Sequence, residues 1–296
     1  MNSQPVEEKL TACQKARAIA AEAFYTSFTD LLKSESLISE VALRDKWLAE
    51  MRKNPDIFPD GWYLPPPHGI GVLFGTEENY QRMDYQSLRP KDLWPRGDIS
   101  LDRDTGIIYV YASPVDRKTG MIGDFGMTIY FGQNLDIKDH LKRCLDLNWQ
   151  VLDRSQVGMT FADLTTFAND LFIKFGLSNE VISITDKSSS GVNIGHTIPA
   201  SYEDWMTEEL AVFQSNDWQQ ILKIISNKRK FLNTVEPSPI KNGMAFTIEQ
   251  RLTKPNNPSI PMSSFHTIAL IHQDGKKELL TNFEQIFRLV GMDYMF

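Results

Sequence analysis

The sequence predicts an α+β fold in one large domain, and three observations carry this prediction. The chain has 296 residues, which is enough for a single domain with a sizeable core. Apolar side chains recur with helical spacing at 6–33, 38–53 and 136–154. Two apolar β-type runs joined by a turn occur twice, at 106–131 and at 265–280. Helices and hairpins in separate parts of a chain are typical of α+β proteins.

The first 55 residues are predicted to form a helical extension that packs on the main domain. Ala, Glu, Lys and Leu dominate the stretch 6–33, and these residues favour helices. A second helix over 38–53 ends before Pro55, because proline cannot continue a helix. Residues 56–296 are predicted to form the main domain, in which no repeat and no convincing linker is seen.

Within the main domain, helices and strands are predicted in a mixed order. The mostly polar stretch 80–94 is predicted to be an inserted surface segment. In the first hairpin, Asp124 stands just before the returning strand. The remaining predicted elements are a helix capped by Thr160 and ended at Gly176, a short strand at 181–185, one or two helices within 204–230, a strand at 244–249 and a short helix after 283.

Charge and composition argue against several classes of protein. The net charge of −7 disfavours nucleic acid as a partner, because nucleic-acid binding calls for a basic surface. No run of about 18 apolar residues exists, so no membrane-spanning helix and no membrane partner is expected. The N-terminus lacks a signal-peptide pattern, and Cys13 and Cys144 form neither a zinc pattern nor a disulfide framework. The cytoplasm is therefore the predicted location.

Three residues suggest a site for a divalent metal ion. Glu249 ends the apolar run Gly-Met-Ala-Phe-Thr-Ile-Glu, where a carboxylate is costly unless a positive charge meets it. His196 lies in Asn-Ile-Gly-His-Thr-Ile-Pro, and Asp124 follows the turn Gly-Met-Ile-Gly. Carboxylates and imidazoles are the usual ligands of such ions. Taken singly, the same residues fit a turn cap (Asp124), a loop histidine bonded to backbone (His196) and an ion-pair partner of Arg251 (Glu249).

The order of these motifs resembles the metallopeptidase superfamily of methionine aminopeptidase, Xaa-Pro peptidase (prolidase) and creatinase. The resemblance covers about 105–285 and rests mainly on 243–249 and on the pair Gly195-His196, with support from 120–124 and 158–160. It implies a pita-bread fold, which is a curved antiparallel sheet with helices on its outer face. It also implies a metal-dependent hydrolase that acts on a small peptide or amide.

The resemblance further implies a metal-ligand set, of which this sequence keeps a part. The family holds two ions with two Asp, one His and two Glu, and Asp124, His196 and Glu249 match the second Asp, the His and the first Glu. The first Asp falls on Ser113, or on Tyr111 if the hairpin loop is longer. The last Glu falls on His266, or on Phe265 after a slip of one residue, and strand parity favours His266. The expected centre is therefore mononuclear, with one Mn, Fe, Zn or Co ion per chain.

Substrate contacts are less well matched. His68, after three prolines, matches a histidine that contacts substrate in the family, and it is predicted to orient substrate here. A second family histidine, seven residues after His196, is replaced by Glu203. Two alternatives therefore stay open: an inactive pita-bread protein that binds a peptide or another protein, and a mononuclear non-haem metalloenzyme with different chemistry. A homodimer is also left open, and His140 and His272 are predicted to face solvent.

Overall fold

An antiparallel sheet carries or directly adjoins most of the candidate ligands. The computed structural model describes residues 5–34, 37–183, 185–186, 188, 190–215 and 217–296. Eight strands are assigned in this part of the chain, and they form one curled sheet. The strands are β1 (Ile70–Gly75), β2 (Ile107–Ala112), β3 (Phe125–Tyr130), β4 (Ser178–Asn179), β5 (Met244–Ile248), β6 (Arg251–Thr253), β7 (Ser263–Ile271) and β8 (Lys277–Leu280).

Strand β7 joins the two halves of the sheet. The path β1-β2-β3-β7-β6-β4 crosses it, while β5 and β8 also pair with β7. Residue His266 in β7 lies opposite Gly126 in β3, and the next residue, Thr267, lies opposite Ile248 in β5. Glu249 follows Ile248 directly. The register therefore brings His266 beside the residue that ends β5, as the predicted strand parity requires.

Helices pack around this sheet. Their bounds are α1 (Val6–Lys33), α2 (Glu40–Met51), α3 (Leu135–Arg154), α4 (Phe161–Lys174), α5 (Pro199–Tyr202), α6 (Thr207–Ser215), α7 (Trp218–Lys228) and α8 (Glu284–Leu289). Thr160 caps α4 through its side chain, as predicted. Two helices, α6 and α7, occupy the stretch for which one or two were predicted. None of the helices in the described ranges is long and apolar enough to cross a membrane.

The N-terminal helices share the core of the main domain. Phe24 of α1 contacts Trp47 of α2 and Phe125 of β3, with ring centroids 5.0 Å and 6.3 Å apart. Arg17, also on α1, is fully buried and reaches the ends of the strands. Residues from both 1–55 and 56–296 belong to one apolar cluster. The division into a helical extension and a main domain at this boundary stays a prediction.

Four local expectations are wrong. The stretch 80–94 is not a surface insertion, since Tyr80, Met83, Tyr85 and Leu88 are buried and part of the core. The described residues of 181–185 contain one isolated bridge, from Ile182 to Val192, and no strand. His140 does not face solvent: its ring is buried beside β6, where Nε2 lies 3.2 Å from the carbonyl oxygen of Leu252. His272 is also largely covered, between Glu7 and Glu278.

Candidate metal centre

Asp124, His196 and Glu249, which are far apart in the sequence, converge in the structure. Each offers one ligand atom, and these atoms all lie within 4.8 Å of one another. His196 Nε2 is 3.2 Å from Asp124 Oδ2 and 3.9 Å from Glu249 Oε2. One nitrogen and two carboxylate oxygens at this spacing form a donor set that suits a divalent ion.

The local backbone explains why these three side chains meet. Asp124 directly precedes the first residue of β3, and Glu249 directly follows the last residue of β5. His196 lies in an extended segment that runs along β5, where the Thr247 amide donates to the His196 carbonyl at 2.8 Å. The preceding residue, Gly195, has φ +151°, and a Cβ there would lie 2.2 Å from the Thr247 carbonyl oxygen. Only glycine permits this close approach, which places His196 over the end of β5.

The donor atoms are oriented in the way that metal ligands are. His196 Nδ1 lies 3.0 Å from the Thr197 carbonyl oxygen, so it carries the proton and leaves the Nε2 lone pair free for the cluster. Trp62 Nε1 donates to Asp124 Oδ1 at 2.8 Å. Asp124 Oδ2 is buried and has no hydrogen-bond partner in the described part of the chain, although His196 Nε2 lies 3.2 Å away. A buried oxygen without a partner beside a free lone pair fits a shared cation.

His266 borders this cluster. Its Nδ1 lies 3.2 Å from Glu249 Oε2, whereas Nε2 lies 2.9 Å from the Tyr109 hydroxyl. Gly126 on the neighbouring strand makes room for the ring, because a Cβ there would lie 3.1 Å from His266 Cγ. His266, and not Phe265, therefore faces Glu249. Its role as a fourth ligand stays a prediction, since the group within 4.8 Å contains Asp124, His196 and Glu249.

The electrostatics of the cluster favour a positive charge. Burial by itself would raise the pKa of Glu249, but attraction to His266 and His196 lowers it to about 2. Burial also works against a charged His196, yet Glu249 and Asp124 outweigh it and raise the pKa of this imidazole. Among the described residues, the carboxylates of Asp124 and Glu249 form ion pairs with histidines and with no lysine or arginine, so their common face can accept a cation.

The two positions that could match the family's first Asp hold groups with other contacts. The Tyr111 ring packs against His266, with centroids 5.0 Å apart, and burial raises the pKa of its hydroxyl well above the ordinary value. The Ser113 hydroxyl accepts a hydrogen bond from the Tyr63 amide at 3.1 Å. Neither residue offers an anionic ligand. A second ion would therefore have fewer ligands here than in the family.

His68 lies apart from the cluster. Its backbone has φ +63°, and its Nδ1 is 3.1 Å from Asp60 Oδ1 and 3.4 Å from Arg52 Nη2. The side chain is 41% exposed, and it is not among the described residues that line the cavities at the cluster. Its predicted contact with substrate stays a prediction.

Two cavities that share part of their lining lie in this region. The inner cavity has a volume of about 50 Å³ and is lined by His196, Glu249, His266, Tyr111, Arg229 and Arg251. The outer cavity has about 890 Å³ and carries Arg89, Lys223, Lys230, Asp186 and Glu236. Four residues line both cavities: Trp62, Tyr63, Arg229 and Phe231.

Arg17 is the contribution of α1 to the site. Its guanidinium donates to the backbone carbonyl oxygens of Asp124 and His266, the latter at 2.8 Å. It also donates to Thr281 O at 2.6 Å and to Asn282 Oδ1 at 3.1 Å. Burial lowers the pKa of Arg17 to about 9. One side chain thus fixes the backbone of a candidate ligand, Asp124, and of its neighbour across the sheet.

Comparison with solved structures identifies the fold. Prolidase from Pyrococcus horikoshii OT3 superposes with a TM-score of 0.59 at 15% identity, over 93% of this chain and 62% of that one. Methionine aminopeptidase from Thermotoga maritima gives 0.54 at 12% identity, over 90% and 96%. The chain has the pita-bread fold.

A similar structure also comes from outside the peptidases. The N-terminal domain of FACT complex subunit SPT16 from Cicer arietinum superposes with a TM-score of 0.57 at 14% identity, over 93% of this chain and 57% of that one. The sequence matches no protein-family model and no curated protein. The chain spans less than two thirds of the prolidase that it resembles, and identities this low establish the fold alone.

Proposed function

We propose that this protein is a hydrolase that uses one divalent metal ion to cleave a small peptide or amide. The observation that carries the proposal is the convergence of Asp124, His196 and Glu249 in a pita-bread sheet, where His196 and Glu249 also line a cavity. When bound there, the ion would polarise a carbonyl group and lower the pKa of a bound water. Mn, Fe, Zn and Co all suit a nitrogen-and-oxygen donor set.

A single ion is favoured by what stands around the three donors. Tyr111 and Ser113 supply no carboxylate at the positions of the family's first Asp, and His266 stands where a second Glu would be. His266 is held by the Tyr109 hydroxyl on one side and faces Glu249 with its other nitrogen. The imidazole can complete the shell of one ion, but it adds no negative charge to hold a second.

The other residues of the site position these groups. Trp62 fixes one oxygen of Asp124, so that the other oxygen faces His196. The Thr197 carbonyl fixes the tautomer of His196. The aromatic walls between the two cavities limit the access of water to the bound carbonyl. In this proposal, residues that line the outer cavity contact the remainder of the substrate. We also propose that the protein is located in the cytoplasm.

The proposal is tested by metal-dependent hydrolysis. Purified protein, stripped with a chelator and reloaded with Mn²⁺ or Zn²⁺, is assayed against a panel of dipeptides and N-acyl amino acids. We expect turnover that needs the ion, and that His196→Ala abolishes together with metal uptake. His272→Ala is the matched control, because this histidine contacts Glu7 and Glu278 away from the cluster and its loss should leave activity unchanged. Equal activity in His196→Ala and the wild type would contradict the proposal.

A second candidate is a binding protein without catalysis. It is favoured by the small inner cavity and by Glu203, which stands where the family has a second histidine and lies 3.5 Å from Lys228. Isothermal titration calorimetry with the same peptides separates the two candidates. Peptide binding without metal uptake and without turnover favours the binding protein. One bound ion without hydrolysis of any amide favours a mononuclear enzyme with other chemistry.

A further inference from the structure

The sheet has a gap where two residues of the candidate site face each other. Strands β5 and β6 both pair with β7, and residues 249–250 lie between them, outside either strand. The register is the same before and after the gap, because the flanking pairs are Ile248 with Thr267 and Arg251 with Ser264. This register places Glu249 directly opposite His266, so that both side chains lie on one face of the sheet.

We infer that Asn148 of α3 is a positioning residue, whose side chain fills this gap and sets the contact between Glu249 and His266. The inference rests on the proposed function, because Glu249 is one of the three candidate ligands. It is carried by the hydrogen bonds of Asn148 to both sides of the gap, by its place on the buried face of α3, and by the attachment of Glu249 to the segment of His196.

On the β7 side of the gap, Asn148 holds the two neighbours of His266. Its Nδ2 donates to the carbonyl oxygen of Phe265 at 2.8 Å and to Oγ1 of Thr267 at 3.0 Å. Phe265 and Thr267 are both buried, so these two oxygens depend on partners within the protein. The residues on either side of His266 are thereby tied to α3 through one side chain.

On the other side of the gap, Asn148 holds the two neighbours of Glu249. Its Nδ2 lies 3.4 Å from the carbonyl oxygen of Ile248, which is a longer and weaker hydrogen bond than the two on the β7 side. Its Oδ1 accepts a hydrogen bond from Nε2 of Gln250. One amide group therefore contacts the residues before and after both Glu249 and His266.

Neither helix propensity nor burial by itself favours an asparagine at this position of α3. Asn148 is 1% exposed and shares the buried face of the helix with Leu141, Cys144 and Leu145. Asparagine is a weaker helix former than leucine, and a buried amide is costly unless its polar atoms are hydrogen-bonded. In the described part of the chain, the hydrogen bonds of this side chain all go to residues at the gap. The gap in the sheet therefore explains the presence of an amide here.

Glu249 is attached on its other edge to the segment that carries His196. Its amide donates to the carbonyl oxygen of Ile194 at 2.9 Å. Its Oε2 lies 3.2 Å from His266 Nδ1 and 3.9 Å from His196 Nε2. Without the Asn148 amide, the two strands would close the gap by direct pairing or admit water, and Glu249 would move relative to His196. Asn148 therefore acts on the metal centre through the place of Glu249, as groups that orient metal ligands do.

The inference is tested with Asn148→Ala and Asn148→Asp. The first variant removes the amide, whereas the second keeps its shape and replaces the Nδ2 donor with an oxygen. Mn²⁺ affinity is measured by competition titration, and we expect the dissociation constant to rise about tenfold in each variant. His140→Gln is the matched control, because His140 is also a buried polar residue of α3 whose side chain bonds to the sheet, at the Leu252 carbonyl outside the gap. It should lower the urea midpoint and leave the dissociation constant unchanged.

A second readout needs no metal ion. The ¹⁵N signals of the His266 imidazole in metal-free protein, assigned by their absence from His266→Gln, report the contact of this ring with Glu249. We expect these signals to shift in both Asn148 variants and to keep their positions in His140→Gln. If the Asn148 variants fail to fold, Thr267→Val takes their place, since it removes one contact of the amide. It should weaken Mn²⁺ binding about threefold and shift the same signals.

Two results would overturn the inference: wild-type Mn²⁺ affinity in the variants at the gap, or unshifted His266 signals in them. The wild type separates the inference from the proposed function. If the wild type binds no ion, the proposed function fails, while the histidine signals still decide whether Asn148 sets the contact. If the wild type binds one ion and the variants bind it equally well, the inference alone fails.

Discussion

Trp62 is predicted to control metal affinity through one hydrogen bond. Its indole Nε1 donates to Asp124 Oδ1 at 2.8 Å, and the side chain is buried at 2% exposure. Trp62→Phe removes the donor and keeps an aromatic ring in the wall. A hydrogen bond to a charged group contributes about 1.5–3 kcal/mol, and loss of a partner that orients a metal ligand typically lowers affinity about 10–100-fold. We therefore expect the dissociation constant for Mn²⁺ to rise by about that factor.

The assay is a competition titration of Mn²⁺ against a fluorescent chelator, with urea unfolding of each variant as a check on the fold. Trp205→Phe is the matched control. Trp205 is also a buried tryptophan, and its Nε1 donates to the Thr119 carbonyl at 2.7 Å, but it does not line the inner cavity. Its loss should lower stability by about 1 kcal/mol and leave metal affinity unchanged. Equal metal affinity in Trp62→Phe and the wild type would refute the reasoning.

Three further variants test other parts of the account. Gly195→Ala places a Cβ 2.2 Å from the Thr247 carbonyl oxygen, so His196 must move. We expect the free energy of unfolding in urea to fall by about 1–3 kcal/mol and metal uptake to be lost. Arg17→Met removes the donor to the Asp124 and His266 carbonyls. We expect the free energy of unfolding to fall by about 3 kcal/mol and metal affinity to fall with it. Unchanged values would contradict the conclusion that Arg17 of α1 holds the backbone at these two residues. Burial lowers the pKa of His140 from 6.5 to about 4. The unfolded chain therefore takes up this proton first, and stability should be lost as pH falls from 6.5 towards 4, by up to about 3 kcal/mol. Urea midpoints of the wild type and His140→Gln should converge over this window, and parallel pH profiles would show that His140 is not the cause.

The sequence was sufficient for the elements that carry the candidate ligands. The apolar run that ends at Glu249 predicts a strand, and the turn before Asp124 predicts the start of another. Strand parity placed His266, and not Phe265, opposite these residues. These inferences succeed because the period of two and the turn chemistry are local properties of the chain.

Other features depend on contacts between distant parts of the chain, which local patterns do not encode. Trp62 meets Asp124, and Arg229 and Arg251 meet in one cavity, only after the sheet has formed. The stretch 80–94 is polar in composition, yet four of its apolar and aromatic side chains complete the core beside β1. His140 is covered by β6 in the same way. The sequence signal for Arg251 is its place two residues after Glu249, which predicts an ion pair between the two.

The most direct test of the central claim is the number of metal ions that the folded chain binds. Mn²⁺ titration of chelator-treated protein should give one ion per chain. That ion should be lost in each of Asp124→Asn, His196→Ala and Glu249→Gln, with the fold retained by circular dichroism. Two ions per chain, no ion, or full uptake by His196→Ala would contradict a mononuclear centre built from these three residues.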